Sequence, residues 1–191
     1  MGMMKIHRIR RRDGVKQAYW EKVQVEKKGR MVARRSPGLV LKTAEHVKRT
    51  LAPIVDRIEI VGSIRRKVAN PTDIDIILIP NDFKIDQLKP LISKLGTVTK
   101  SGDKYVSIII NGIQCDIYLA TEQDWGAQLM TRTGPWTSNL GNRTLAKNKG
   151  MLLNQYGLWH NGKKIAGETE QGIFEALGKP YKPPEQRGLS R

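Results

Sequence analysis

The chain has 191 residues, enough for one compact unit of two lobes or two small domains, and its 39% apolar content marks it as globular. Thirty-four Lys and Arg stand against 18 Asp and Glu, a net charge of +16, and self-repulsion on that scale is best tolerated when the partner is a polyanion such as nucleic acid. One cysteine, Cys115, excludes an intramolecular disulfide framework and a cysteine-rich zinc site, and His7, His46 and His160 lie too far apart for short metal-ligand spacing.

In chain order, three zones follow. Residues 1–36 are rich in Lys and Arg, and Lys27-Lys28-Gly29-Arg30 reads as a hairpin turn or as part of a flexible arm. Arg8 to Arg12 reads as a DNA-contacting arm, a solvated one, or a nuclear-import signal. This end lacks the apolar stretch of a signal peptide, and no run approaches the roughly 20 apolar residues that span a bilayer. The expectation is an intracellular protein with no membrane partner, in cytoplasm or nucleus, or in a viral factory if virus-encoded.

Ser36-Pro37-Gly38 then punctuates the chain, and Val40, Leu41, Ala44, Val47 and Leu51 repeat with helical spacing. Strands are expected over 58–61, ending at Gly62, and over 74–79, where the β-branched run stops at Pro80. A helix fits 85–95. Strands over 105–110 and 113–119 are joined by Asn111-Gly112, a strong two-residue hairpin signal. Residues 37–120 therefore read as one mixed sheet with two covering helices. From residue 122 the pattern is mostly helical, over 123–130, 136–149 and 170–177, with strand-like pieces at 151–153 and 158–160. The tail from Gly178 is rich in Pro, Lys and Arg. The fold class is α+β, with a basic extension (1–36), a catalytic unit (37–120) and a small, mainly helical C-terminal subdomain (121–191).

The chemistry centres on Asp73-Ile74-Asp75. On a strand, residues i and i+2 share a face, so the two carboxylates project together and repel unless a cation sits between them. Mg²⁺ suits such a site, being hard, oxygen-seeking and usually held by a few carboxylates plus substrate phosphates. Ten residues earlier stands Gly62-Ser63, a turn able to approach a phosphate closely, followed by Arg65 and Arg66. A third acid, Asp116, lies on a later strand. If that strand neighbours the one bearing Asp73 and Asp75, the three acids fit a two-metal phosphoryl transfer.

These residues resemble the nucleotidyltransferase superfamily of DNA polymerase beta in the Gly62-Ser63 turn, the ten-residue step, the Asp73-x-Asp75 pair and the later Asp116. Thr133-Gly134, Asn139, Arg143, Ala146, Lys149-Gly150 and Leu153-Asn154-x-Tyr156-Gly157-Leu158 resemble the C-terminal subdomain of family X DNA polymerases more specifically. Tyr181-x-Pro183-Pro184-Glu185-x-Arg187 is similar to the end of those proteins, so the likeness spans roughly 37–191.

The resemblance implies a DNA-directed DNA polymerase that adds dNTPs to a primer 3′ end and fills gaps in repair, a monomer using two Mg²⁺ ions that Mn²⁺ can replace. It implies that Asp73 and Asp75 bind both ions, and that Asp116 binds the catalytic ion and the primer 3′ hydroxyl. Gly62, Ser63 and Arg66 would hold the β- and γ-phosphates, with Arg35 near a further phosphate-binding position. Thr133, Gly134, Trp136 and Asn139 would form the nucleotide site, Trp136 either stacking on a base or joining the core. Arg143 would contact the template, with Lys147 a further DNA contact on the same helix. Outside the likeness, the charge of the basic arm points to sequence-independent phosphate contacts from Arg10, Arg11 and Arg12, so the expected partner is DNA, as primer–template or gapped duplex.

Three departures stand out. Only some 36 residues precede the catalytic unit, too few for the family's N-terminal lyase domain, so no deoxyribose-phosphate lyase activity is expected, as in a minimal polymerase of some large DNA viruses. Thr131 and Arg132 replace an aromatic pair that in many members helps exclude the ribose 2′ hydroxyl. Gln114 replaces an arginine that often orients the third aspartate. The alternatives are a template-independent transferase that tails DNA or RNA ends or modifies a small molecule, and a non-catalytic DNA-binding module.

Overall fold

The computed structural model describes residues 35–188. Arg10, Arg11, Arg12 and the expected hairpin at 27–30 lie outside them. The first element is helix α1 (Pro37–Leu51), started by Ser36, whose hydroxyl accepts the Leu39 N–H at 3.3 Å, with Pro37 in the first turn where no N–H is missed. Its spacing buries Val40, Ala44, Val47 and Leu51 along one stripe.

A 3₁₀ turn over Ala52–Ile54 leads to β1 (Val55–Ile60), a one-turn helix α2 (Gly62–Arg65) and β2 (Ile74–Pro80). After a second 3₁₀ turn come α3 (Ile85–Leu95), β3 (Thr97–Ser101), β4 (Tyr105–Ile110) and β5 (Ile113–Leu119). The sheet order is β1-β2-β5-β4-β3, with β2 and β5 parallel and the other pairs antiparallel. Ile74, Ile76 and Leu78 of β2, Cys115 and Ile117 of β5 and Val106 and Ile108 of β4 pack with α1 and α3 into the main core. The expected mixed sheet with two covering helices is present.

The opposite face of this sheet is covered at one end only. There α4 (Trp125–Thr133) brings Trp125 and Leu129 over Ile77, Ile79, Val61 and Ala120. The other end stays open, and the acids emerge on it. Burial of apolar side chains on both faces of β2 explains why its sequence is a continuous Ile/Leu run apart from Asp75.

Beyond α4 follow α5 (Trp136–Asn148), β6 (Met151–Asn154), β7 (Gly157–His160), β8 (Lys163–Ala166) and α6 (Glu170–Ala176), with β6-β7-β8 forming a second, antiparallel sheet. Ala127, Met130, Ala146, Leu153, Leu158, Ile173, Phe174 and Leu177 form its core. The first amides of α4 are satisfied from outside the helix: Gly126 N–H donates to Glu168 O at 3.1 Å and Ala127 N–H to Gly167 O at 2.9 Å. No Cβ fits at Gly126, because the Thr169 backbone occupies its place.

Several elements differ from expectation. Helix α4 runs over 125–133 rather than 123–130, because Asp124 Oδ1 accepts the Thr121 N–H at 2.7 Å and holds 121–124 as a turn. The Gly62-Ser63 turn opens a one-turn helix, β1 begins three residues early, and β3 and β8 were not anticipated. Among the described residues no helix is long and apolar enough to cross a membrane.

Candidate active site

The register of the parallel pair sets the site. Asp75 on β2 stands directly opposite Asp116 on β5, about 4.8 Å away across the ladder, and Asp73 lies two residues before Asp75 at the mouth of β2. Gly62 closes over them: its φ is +65°, and an added Cβ would collide with Asp75 Oδ2 and lie 3.0 Å from its Cγ. Glycine is therefore required there for both space and backbone.

Asp116 is held by uncharged donors. Ser107 Oγ donates to Oδ1 at 2.6 Å, Tyr105 Oη to Oδ1 at 2.9 Å, and Gln114 Nε2 reaches Oδ1 and Oδ2 at 3.2 and 3.1 Å. Register explains the grouping, since Ser107 is paired with Asp116 and Tyr105 with Tyr118, on the open face. Tyr105 and Tyr118 stack with centroids 5.1 Å apart, and the Arg132 guanidinium lies 3.7 Å over the Tyr118 ring.

Burial, followed by the charges of Asp73 and Asp116, pushes the Asp75 carboxyl up to about 7 against the weaker opposing pull of Arg132 and Arg66. The site is thus short of positive charge. Cys115, between these acids in sequence but facing the core, has its thiol pushed up to about 12 by burial, then by Asp116 and Asp75, which makes it inert.

A cleft of about 350 Å³ opens beside the acids. Gly62, Ser63, Arg66, Asp73, Asp75, Thr133, Gly134, Trp136 and Asn139, all singled out from the sequence, line it together with Thr131, Arg132 and Pro135. Ser63 Oγ is buried with no hydrogen-bond partner, an orphan donor beside the acids. Arg66 Nη1 donates to Thr133 O, and burial lowers its pKa despite Asp75 and Asp73. Asn139 Nδ2 donates to Thr131 O at 2.8 Å.

Some expected residues fall elsewhere. Arg143 and Lys147 are exposed on α5, outside the cleft lining. Arg35 packs at the β4–β5 turn, where its guanidinium occupies the space of a Cβ on Gly112, and it does not line the cleft. Trp136 is 70% exposed, which removes it from the core.

Sequence reading missed Tyr105 and Ser107 as partners of Asp116, although counting back from Asn111-Gly112 pairs residue 107 with 116. It also missed a buried network beside the cleft. Arg65 donates to Thr133 Oγ1 at 2.7 Å and to both oxygens of Glu170 at 3.0 and 2.7 Å, and Arg187 Nη1 donates to Glu170 Oε1 at 2.7 Å.

Among the described residues no three His, Cys, Asp or Glu side chains enclose a metal ion by themselves. Mg²⁺ needs no such cage, since substrate phosphates and water complete its octahedron. The raised Asp75 and the orphaned Ser63 hydroxyl fit a cation–phosphate pair bound at this cleft.

Comparison with known proteins agrees with this geometry. The DNA polymerase beta thumb family model matches residues 128–188. The chain is 28% identical over 159 residues to the DNA polymerase/3′-5′ exonuclease PolX of Bacillus subtilis, covering 78% of this chain and 28% of that protein. It is 27% identical over 139 residues to the Repair DNA polymerase X of African swine fever virus, covering 66% of this chain and 79% of the viral one. The chain therefore spans about a quarter of the bacterial relative and most of the viral one. A solved ternary complex of Leishmania infantum polymerase beta shares the fold with a TM-score of 0.65 at 23% identity, over 79% of this chain and 74% of that one. The thumb match, the relatives and the fold agree in one likeness, to family X of the DNA polymerases.

Proposed function

We propose that the chain is a DNA-directed DNA polymerase that adds dNTPs to a primer 3′ end and fills short gaps during repair. The observation that carries the reading is the meeting of Asp75 and Asp116 in register, beside a cleft bearing an orphaned Ser63 hydroxyl and Arg66. Residues 37–120 act as the catalytic palm, 121–191 as the subdomain that shapes the nucleotide site, and 1–36 as a basic extension that grips DNA.

In this reading Asp73, Asp75 and Asp116 hold two Mg²⁺ ions, replaceable by Mn²⁺, which supply the positive charge that stabilises the transferring phosphoryl group and its leaving pyrophosphate. Ser63 Oγ–H and the free N–H groups of Arg66 donate to the β- and γ-phosphates. Asp116, its Oδ1 tied by Tyr105 and Ser107, faces the primer 3′ hydroxyl and takes its proton. The 3′ oxygen forms a bond to the α-phosphorus as the bond to the β-phosphate oxygen breaks. Arg143 and Lys147 on the outer face of α5, with Arg10, Arg11 and Arg12, contact the DNA strands, and the protein works as a monomer.

The test is extension of a primer across a one-nucleotide gap with each dNTP and rNTP offered separately, in Mg²⁺, by wild type and Asp73→Ala. Incorporation of the complementary dNTP by wild type alone is the expected result. Incorporation regardless of template would make the chain a terminal transferase. No incorporation in Mg²⁺ or Mn²⁺, alongside DNA binding, would leave a non-catalytic binding module.

A further inference from the structure

Three side chains join helix α4 to Asp116. Tyr118 follows Asp116 by two residues on β5 and is paired with Tyr105 of β4, so both tyrosines share the open face with the acid. Their rings lie with centroids 5.1 Å apart and planes tilted by 32°. The Arg132 guanidinium covers the Tyr118 ring, 3.7 Å from its centroid. Arg132 belongs to the last turn of α4, and its Nε donates at 3.3 Å to Oε1 of Gln128, a buried residue one turn back. At the other end of the stack Tyr105 Oη donates to Asp116 Oδ1 at 2.9 Å. Ser107, directly opposite Asp116, reaches the same oxygen with a short side chain. Tyr105 reaches it diagonally, from the position opposite Tyr118, so the aim of its hydroxyl depends on what packs against its ring. Arg132 lines the cleft, whereas Tyr105 and Tyr118 do not.

We infer that Tyr118 is a positioning residue for Asp116: with Arg132 over its ring, it holds the Tyr105 hydroxyl on Asp116 Oδ1, so the setting of the third acid follows the placement of α4. This rests on the polymerase reading proposed above and deepens it. The contacts along the stack are made by ring faces, so the cation of Arg132 steers the hydroxyl from a distance and the acid receives a neutral donor. A ligating carboxylate left free to wander must be ordered when metal and primer arrive, and partners that hold it in advance change affinity and rate by about tenfold or more.

The experiment is single-turnover filling of a one-nucleotide gap by the full chain in Mg²⁺. Titration of the DNA-free protein with Mn²⁺, followed by electron paramagnetic resonance, gives a second readout independent of turnover. Wild type is compared with Tyr118→Phe, Tyr118→Leu, Tyr105→Phe and the double variant Tyr118→Leu/Tyr105→Phe, each checked for folding by thermal unfolding. Tyr118→Leu is expected to slow incorporation about tenfold at an unchanged nucleotide dissociation constant, and to weaken Mn²⁺ binding by about threefold or more. Tyr118→Phe keeps the ring and stays within about twofold of wild type in both. Tyr105→Phe is expected to be as slow as Tyr118→Leu, and the double variant no slower than Tyr105→Phe, because the ring acts through that hydroxyl. Should Tyr118→Leu not fold, Arg132→Gln loosens the stack from the side of α4, and its loss should vanish in the Tyr105→Phe background. The inference is overturned if Tyr118→Leu matches wild type, if Tyr118→Phe is as slow as Tyr118→Leu, or if the losses multiply in the double variant. Absence of incorporation by wild type would overturn the polymerase reading instead. The Mn²⁺ titration then decides alone: equal affinities for wild type and Tyr118→Leu overturn this inference too, and weakening confined to Tyr118→Leu and Tyr105→Phe sustains it.

Discussion

Glu170 offers the sharpest perturbation of the fold. It is 5% exposed and accepts from Arg65 at 3.0 and 2.7 Å, from Arg187 at 2.7 Å and from Tyr181 Oη at 3.3 Å. The Arg187 side chain is 1% exposed, and one of its nitrogens already lacks a partner. Replacing Glu170 with leucine leaves that guanidinium buried without a counter-charge, a loss of about 3–5 kcal/mol. At about 2–4 °C per kcal/mol for a chain of this size, the melting temperature falls by roughly 6–20 °C. The double variant Glu170→Leu/Arg187→Leu removes the stranded charge and is expected to recover more than half of the loss. Thermal unfolding followed by circular dichroism measures both. pH gives an independent check. Burial raises the Glu170 pKa, but the Arg65 and Arg187 hydrogen bonds and charges overcome it, so the net shift is down from 4.5. A carboxyl with a lowered folded pKa contributes fully above its unfolded value and loses that contribution as pH falls through the folded one. Wild-type stability should therefore drop more steeply in acid than that of Glu170→Gln. A single-variant loss below about 1 kcal/mol, or strictly additive losses in the double variant, would refute the account.

Two further outcomes follow from the acids. Asp75 has a raised pKa, so its ionisation costs stability from pH 3.8 upward, most fully above about pH 7. Without divalent ions Asp75→Asn should unfold about 1–4 kcal/mol later than wild type at pH 8, with the advantage gone by pH 3, while losing nucleotidyl transfer; equal melting temperatures at pH 8 would contradict it. Gln114→Leu removes two contacts to Asp116 without touching the cleft lining, so kcat should fall about tenfold with KM for the nucleotide unchanged, and Gln114→Glu should not restore it.

The elements that could be read from sequence were those whose signal is local. Asn111-Gly112 takes positive φ at both positions, +53° and +72°, which is the turn that an Asn-Gly hairpin needs. Asn161-Gly162 repeats it at +49° and +74° between β7 and β8, so β8 was announced by a signal already in use. Strand β3 had no such marker: all five of its residues are exposed, so no apolar alternation betrays it. The Asp73-x-Asp75 pair and the Gly62-Ser63 turn were legible as short local motifs, although Asp73 lies just before β2 and only Asp75 stands on it. The Glu170 network was not, since Arg65 and Glu170 are 105 residues apart and neither side chain has a local partner that hints at the pairing. Asn139 was legible as a cleft residue, but its bond to Thr131 O depends on how α4 meets α5 at Gly134 and Pro135.

That distant network bears directly on the cleft. Arg65 and Arg66 are adjacent, at the end of α2, yet their guanidinium groups go to different places. Arg65 reaches Glu170 and the Thr133 hydroxyl, while Arg66 donates to the Thr133 carbonyl and lines the cleft. Both therefore hold the same residue, Thr133, one by its side chain and one by its backbone. Thr133 ends α4 and leads through Gly134 and Pro135 into the turn that carries Trp136. The distance between Ser63 and Trp136 across the cleft is thus set by a pair of arginines from one short helix, locked from behind by Glu170 and Arg187. Slackening that lock moves Trp136 relative to Ser63 without altering either residue, so the cleft depends on side chains far along the chain as much as on the carboxylates beside it.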